Sequence, residues 1–525
     1  MPPTARLRLS PQPAFRSQAR LRFSALTILL LATLLPGSSL LSAQAAGAAE
    51  LKAGAAKVDI TSPDAGPVDG RLHVRALVLQ SGDVTATLIT LDVVAIGEIG
   101  YVTNEYLPEL RARLESELGI PPESVLVNAS HCHGIPCTDV GERTFQAVKQ
   151  ARENMVPVQV GAGSGHEDRI QENRRLKLKS GREADVRHAY ALPPDEEVVG
   201  SGPIDPEIGI LKLNRLDGTP VAVVYNFACH PIQGVPGAKN TADMTGFSSE
   251  VIEDNLGDGA VALFVQGCGG DINPARYKQV DAPRHAEPLG NILALSTLKG
   301  IREIECTADS RLKIINHTLE LPRADLASRI AAMETERERM LRTLRGTSLN
   351  LKTFLPLMVK YSVNGDFPSY YSHAYLSEDE LGRDHLRALD AENRRNLQQY
   401  IANIHTMEEL TRLQTNLALL NKHEARAVAA GKRSIDVEVC ALRVGDFVLA
   451  TFPGELVAQI GLNIKKASPH PKTFVAGYTN GYIYYSPTAE QLLNVGGAQE
   501  DSDCLLAPEW QAKFEGKVAE LLKGL

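Results

Sequence analysis

The chain has 525 residues, of which 43% are hydrophobic, and it carries a formal net charge of −8 at pH 7. That length buries a substantial core, divided among two to four domains or gathered into one large single-site enzyme. The acidic balance, with a pI near 6.0, argues against a nucleic-acid partner.

The N-terminus reads as a targeting segment. Arg6, Arg8, Arg16, Arg20 and Arg22 form a basic stretch, residues 25–35 are almost wholly apolar, and Ala43-Gln44-Ala45 offers a small-x-small cleavage site. This is the layout of a secretory signal peptide over residues 1–45, too short in its apolar part to span a bilayer comfortably. The mature protein is expected to be secreted or periplasmic, soluble or in peripheral contact with a membrane. Its oligomeric state is left open.

Strands are predicted over 57–61, 72–79 and 85–94, the last two joined at Ser81-Gly82-Asp83. Residues 102–118 have helical spacing and stop at Gly119. Ser124-Val125-Leu126-Val127 then delivers Asn128-Ala129-Ser130-His131-Cys132-His133-Gly134, two imidazoles on the loop beyond a buried strand. Strand, helix, strand indicates an α/β layout. His73, inside an apolar strand, reads as a core or sheet-edge histidine. Residues 160–205 have little periodicity and are expected to form a long loop region, in which Asn173-Arg174-Arg175 stands out. A buried arginine there can clamp an oxyanion; an exposed one is ordinary surface charge.

A hairpin over 208–213 and 221–227 runs into Ala228-Cys229-His230-Pro231, so a second strand ends on a histidine. Asp243 follows in a polar loop. The strand 261–265 opens onto Gln266-Gly267-Cys268-Gly269-Gly270-Asp271-Ile272-Asn273-Pro274, whose glycines allow close backbone approach or present N–H groups to a substrate oxygen. Residues 323–430 are charged and helix-favouring, with helices expected over 324–345, 377–393 and 397–430 and an aromatic connector around 361–375; they form a helical insertion packed on the core or over the site. A further hairpin, 435–444 with 447–451, leads to Phe452-Pro453-Gly454-Glu455, and strand 473–477 leads to Tyr478-Thr479-Asn480-Gly481-Tyr482-Ile483-Tyr484-Tyr485. Glu455 is either a ligand or a helix N-cap.

The candidates are thus two or three histidines, one glutamate, a tyrosine cluster and an arginine. A His₂Glu set suits Zn²⁺, which takes N and O donors and keeps an open position for water. Such a metal acidifies the water and polarises a carbonyl; His133 is then placed to shuttle a proton and Arg174 or a tyrosine to steady the oxyanion, a recipe for amide or ester hydrolysis. The seven cysteines fit no CxxC zinc pattern, and Cys132, Cys229 and Cys268 read as packing residues.

The five motifs around His131, His230, Gly267–Pro274, Glu455 and Asn480–Tyr485, in this order, resemble the neutral ceramidases, zinc amidases that split ceramide into sphingosine and a fatty acid. The resemblance implies a catalytic domain of mixed β-sheets flanked by helices over residues 46–525, with zinc on His131, His230, Glu455 and Tyr485. It implies catalytic or substrate-polarising roles for His133, Arg174, Asn273 and Tyr482, and supporting roles behind the ligands for Asp243 and Asp271. Asn273 occupies the place of the family's proposed catalytic serine, so no serine-dependent step is expected there. No C-terminal immunoglobulin-like domain is expected, since the chain stops soon after the last motif. The substrate implied is ceramide or another N-acyl lipid. Two alternatives are a zinc hydrolase of a more polar amide or ester, and a catalytically idle zinc-containing binding protein.

Overall fold

The computed structural model describes residues 50–185, 192–235, 239–275, 277, 284–368, 372–494 and 497–525; the signal peptide expected over 1–45 lies outside them. Contacts divide the chain at Ala48/Ala49, and every element among the described residues belongs to the unit Ala49–Leu525. Its frame is an eight-stranded mixed sheet of β1 (Leu51–Asp59), β2 (His73–Ser81), β3 (Val84–Leu91), β4 (Val125–Ala129), β5 (Val156–His166), β6 (Glu207–Arg215), β7 (Pro220–Phe227) and β8 (Val261–Gln266). The spatial order is β8-β7-β6-β5-β1-β2-β3-β4. The β3–β4 and β7–β8 pairs are parallel and the rest antiparallel. The two edges approach each other: Gln266 N at the end of β8 donates to Asn128 Oδ1 on β4 at 2.9 Å. Two of the three predicted site loops are thereby brought side by side.

A second sheet, β9 (Leu312–Pro322), β10 (Ser434–Val444), β11 (Phe447–Thr451) and β12 (Thr473–Ala476), packs on the first. Leu77, Leu88, Leu211 and Val224 of the large sheet share one buried cluster with Leu442, Phe447, Leu449 and Phe474 of the small one. Helices α1 (Tyr106–Leu118), α2 (Val140–Glu153), α3 (Asp243–Leu256) and α4 (Glu287–Arg302) cover the other face of the large sheet. Because β4 is covered on both sides, all five of its residues are buried, which is why it reads as a continuous apolar run.

Residues 323–433 interrupt a hairpin, since β9 and β10 pair from Leu312↔Val444 to Pro322↔Ser434. They hold α5 (Ala327–Thr343), α6 (Leu351–Val363), α7 (Ser372–Glu380) and α8 (His385–Ala430). The insertion is helical as expected, with two corrections. The two helices expected over 377–393 and 397–430 resolve into α7 and a single 46-residue α8. The start of the aromatic connector overlaps an unpredicted helix, α6, which carries Pro356 in its interior, a residue that reads as a helix breaker. Two further helices, α9 (Ala458–Ala467) and α10 (Trp510–Gly524), cover the outer face of the small sheet, with Trp510 and Phe514 against Phe452 at ring-centroid distances of 5.5 and 4.5 Å. The result is a helix–sheet–sheet–helix α/β architecture.

The long loop expected over 160–205 is corrected by the structure. Its start is the second half of β5, and Arg175–Leu178, Glu183–Asp185 and Val198–Ser201 form a small antiparallel sheet. The glycines that broke the strand pattern have a packing cause. A Cβ on Gly161 would stand 2.5 Å from the Glu305 carbonyl oxygen, so the strand needs glycine where another segment crosses it. All seven cysteines are free thiols, and six are buried; Cys132, Cys229 and Cys268 sit in the hydrophobic clusters as packing residues.

Candidate metal centre

Beyond β4 the backbone continues along the sheet, with Ser130 N on Leu91 O and His131 N on Val93 O, before His131 turns into the left-handed region at φ 67°. His230 is held three residues past β7 by its own N–H on Ile272 O. Glu455 lies in a two-residue strand paired in parallel with Tyr485–Ser486, just ahead of α9. The helix N-cap is Val457, so Glu455 does not cap α9 and its carboxylate turns inward.

These three side chains meet. His131 Nε2 lies 3.6 Å from Glu455 Oε1 and His230 Nε2 lies 3.1 Å from Glu455 Oε2; the three donor atoms all fall within 4.8 Å of one another, and all three residues are buried. Each imidazole is oriented from behind. Nδ1 of His131 faces Val94 O at 2.6 Å and Nδ1 of His230 faces Ile272 O at 3.0 Å. A carbonyl only accepts, so both Nδ1 atoms carry the proton and both Nε2 lone pairs point at the carboxylate. Two imidazole nitrogens and a carboxylate oxygen gathered this closely, all of them buried, form a set that can hold a cation. The donor set therefore fits a divalent metal ion, with two neutral imidazoles and one carboxylate.

Electrostatics agree. Burial pushes the His131 imidazole down to about 4, so it is neutral at pH 7. Burial alone would raise the Glu455 carboxyl, but His131, His230 and Tyr482 outweigh it and hold the group below the usual carboxylate range. Tyr482 donates its hydroxyl to Glu455 Oε1, and Tyr478 donates to Oε2 at 3.1 Å. Burial raises both phenols well above their ordinary value, so they remain protonated donors. Tyr478 also lies against His131, with ring centroids 4.4 Å apart. Nothing in the tyrosine-dense stretch sets it apart from its neighbours by sequence, and it adopts φ 52°, as Tyr484 adopts 63°. Left-handed backbone at non-glycine residues costs on the order of 1 kcal/mol each, and its concentration around one cluster is the pattern of a functional site.

The other predicted residues fall into three groups. Arg174 is buried behind the cluster and lies over the Tyr485 ring at 5.5 Å. It donates to Glu500 Oε1 at 2.7 Å, Asn273 Oδ1 at 3.2 Å and Gly270 O at 2.5 Å. Burial would lower this guanidinium, but Glu500, Tyr485 and Glu455 hold it raised and permanently charged. Glu500 is a partner that nothing in the sequence pattern marked. Asn273 is fully buried; its Oδ1 is fixed by Arg174, while Nδ2 has no hydrogen-bond partner. His133 is exposed at the rim, its ring 5.5 Å from that of His131 and edge-on to it.

Asp243 and Asp271 do not reach the imidazoles through their carboxylates. Asp271 Oδ1 accepts from Ala458 N and Oδ2 from Asn173 Nδ2, tying the Arg174 segment to the start of α9. Asp243 accepts from Gly234 N and Met244 N and so anchors the loop after His230; burial raises its carboxyl to about 6. Gly269 and Gly270 do not present free N–H groups, because these bond Gly267 O and Leu456 O. The other expectation for them holds: a Cβ on Gly270 would lie 2.5 Å from Glu455 O.

The helical insertion reaches this region. His423 Nε2 pairs with Asp503 Oδ1 at 2.7 Å, and Arg426 bonds both Glu98 and the Tyr484 hydroxyl. Since Tyr485 N donates to Asp503 O, α8 braces the segment that carries the tyrosines.

No family model matches the chain. Among solved structures it is similar to neutral ceramidase from Pseudomonas aeruginosa, with a TM-score of 0.56 and 14% identity over 90% of this chain and 74% of that one. A ceramidase complexed with C2 gives a TM-score of 0.55 and 16% identity over 90% and 75% of the two chains. The fold is neutral-ceramidase-like.

Proposed function

We propose that this protein is an exported zinc-dependent amidohydrolase that cleaves ceramide or a related N-acyl lipid into an amine and a fatty acid. The observation that carries the reading is the convergence of His131, His230 and Glu455, from three distant segments, with their lone pairs on one point. A zinc ion held by these residues and Tyr485 would supply a Lewis acid and acidify a water molecule. Tyr478 and Tyr482 keep the Glu455 carboxylate turned toward that point. His133, exposed at the rim, takes a proton from the attacking water and returns it to the amide nitrogen. The water oxygen bonds to the carbonyl carbon, and the C–N bond then breaks as the carbonyl re-forms and the nitrogen takes the proton, leaving a free amine and a carboxylic acid. Asn273 has no nucleophilic oxygen; its unpartnered, buried Nδ2 is a donor for the carbonyl oxygen as negative charge builds on it. Arg174 orients Asn273 and Tyr485 together. The likeness in fold to ceramidases supports the substrate class, and the N-terminal basic and apolar segments support export.

The test is metal analysis of the purified protein together with fatty-acid release from labelled ceramide and from a short N-acyl amide. One zinc per chain with ceramide turnover lost in His133→Ala is the expected result. Turnover confined to the short amide would select the more polar substrate, and metal without any turnover would overturn the enzymatic reading.

A further inference from the structure

Helix α6 is apolar on the side turned away from the protein. Its inner face is defined by contacts: the Phe354 ring stacks on Tyr400 of α8 at 4.5 Å, and the Tyr361 hydroxyl donates to Asp390 of α8 at 2.9 Å. At 100° per residue Val359 and Val363 lie opposite that face, and Leu355 and Leu351 continue the same row, spaced by four, round toward its side. They are 61%, 53%, 62% and 82% exposed. A surface helix ordinarily turns polar residues outward, and a contiguous aliphatic stripe there marks an interaction surface. The helix needs no partner to start: Asn350 and Thr353 form a reciprocal capping box at its N-terminus.

We infer that α6 is a membrane-docking helix, lying in the plane of a lipid bilayer with Leu351, Leu355, Val359 and Val363 in the acyl boundary. Charge and size select this occupant. Between Leu351 and Val363 there are two lysines, Lys352 and Lys360, and no acidic residue, in a chain whose overall charge is −8. This combination of aliphatic face and flanking lysines suits an interface containing anionic lipid. Its 13 residues are too few to span the hydrocarbon. The face measures about 20 Å by 10 Å, roughly 200 Å², against about 800 Å² per partner for a stable protein dimer. A bilayer demands no complementary surface of that extent. The inference is independent of the proposed chemistry, although a lipid substrate would give it a purpose.

The experiment is flotation of the full-length mature chain with vesicles of phosphatidylcholine containing about one-third phosphatidylglycerol, an anionic fraction that attracts surface lysines. It compares the wild type with Leu355→Glu/Val359→Glu. Each aliphatic side chain taken from water is worth roughly tenfold in partitioning, so the wild type floats and the double variant partitions about 100-fold less, with unchanged circular dichroism. A second measurement uses Val359→Trp. The native chain has one tryptophan, Trp510, which is fully buried, so a blue shift on adding vesicles reports insertion at residue 359. Wild type left in the lipid-free fraction, equal flotation of the double variant, or a wild-type dimer dispersed by those substitutions would each overturn the inference. None of these readouts requires turnover, so failure here leaves the proposed hydrolase standing.

Discussion

Replacing Tyr478 with phenylalanine removes one hydroxyl and little else, because the ring is fully buried against His131. The lost bond is the 3.1 Å donation to Glu455 Oε2, a buried bond to an ionised acceptor worth about 1.5–3 kcal/mol. Tyr482 still holds Oε1, so the carboxylate remains in place but gains freedom to rotate away from the two imidazoles. Groups that orient a metal ligand from behind typically contribute about 10–100-fold in affinity, and zinc binding by Tyr478→Phe should weaken by that factor. The assay is competition between the metal-free protein and a chromophoric chelator at pH 7. Tyr484→Phe is the control. Its hydroxyl lies on Arg426 and Glu98, outside the cluster, and its affinity should stay within about twofold of wild type. Equal losses in the two variants, or none in Tyr478→Phe, would refute the assignment of Tyr478 to the carboxylate.

Other substitutions probe the surroundings. Arg174→Met strands the buried Glu500 carboxylate and should destabilise the fold by about 3–5 kcal/mol, which for a body of roughly 480 residues lowers Tm by about 4 °C; Glu500→Gln in the same chain should recover much of this in calorimetry, and no recovery would show that the stranded charge is not the cause. Asn273→Ala should lower kcat by about 10²–10³ with little change in KM, the signature of a donor used only in the transition state. Burial first, then Arg75 and Lys57, push His73 down to about 4 from 6.5. Between those values the unfolded chain binds the proton and the folded one does not, so the contribution of His73 to stability falls as pH drops from 6.5 to 4, by about 3 kcal/mol, and is constant above that window. His73→Gln should remove this slope from the urea midpoints, read as the difference between variant and wild type across that range.

The three residues of the candidate metal cluster were legible because each sits where a strand breaks into a loop. Val125–Val127 before His131, Val221–Phe227 before His230 and Phe447–Thr451 before Glu455 are apolar runs whose ends are set by local chemistry, and parallel strands covered on both faces leave that pattern in any chain. The insertion was legible as helical for the same local reason. Its joints were not, because α6 carries Pro356 in its interior, which by local rules ends a helix.

What the sequence alone determined was therefore the donor set and the strand-end loops that carry it, since residue type and short-range alternation decide these before any long-range contact forms. Tertiary structure decided the rest: that β4 and β8 meet at Asn128 and Gln266, that Arg174 is answered by Glu500 more than 300 positions away, and that Tyr478, rather than only its neighbours, holds the carboxylate. Such pairings depend on how two sheets stack and close, a property of packing over the whole chain that leaves no trace in the spacing of any single segment.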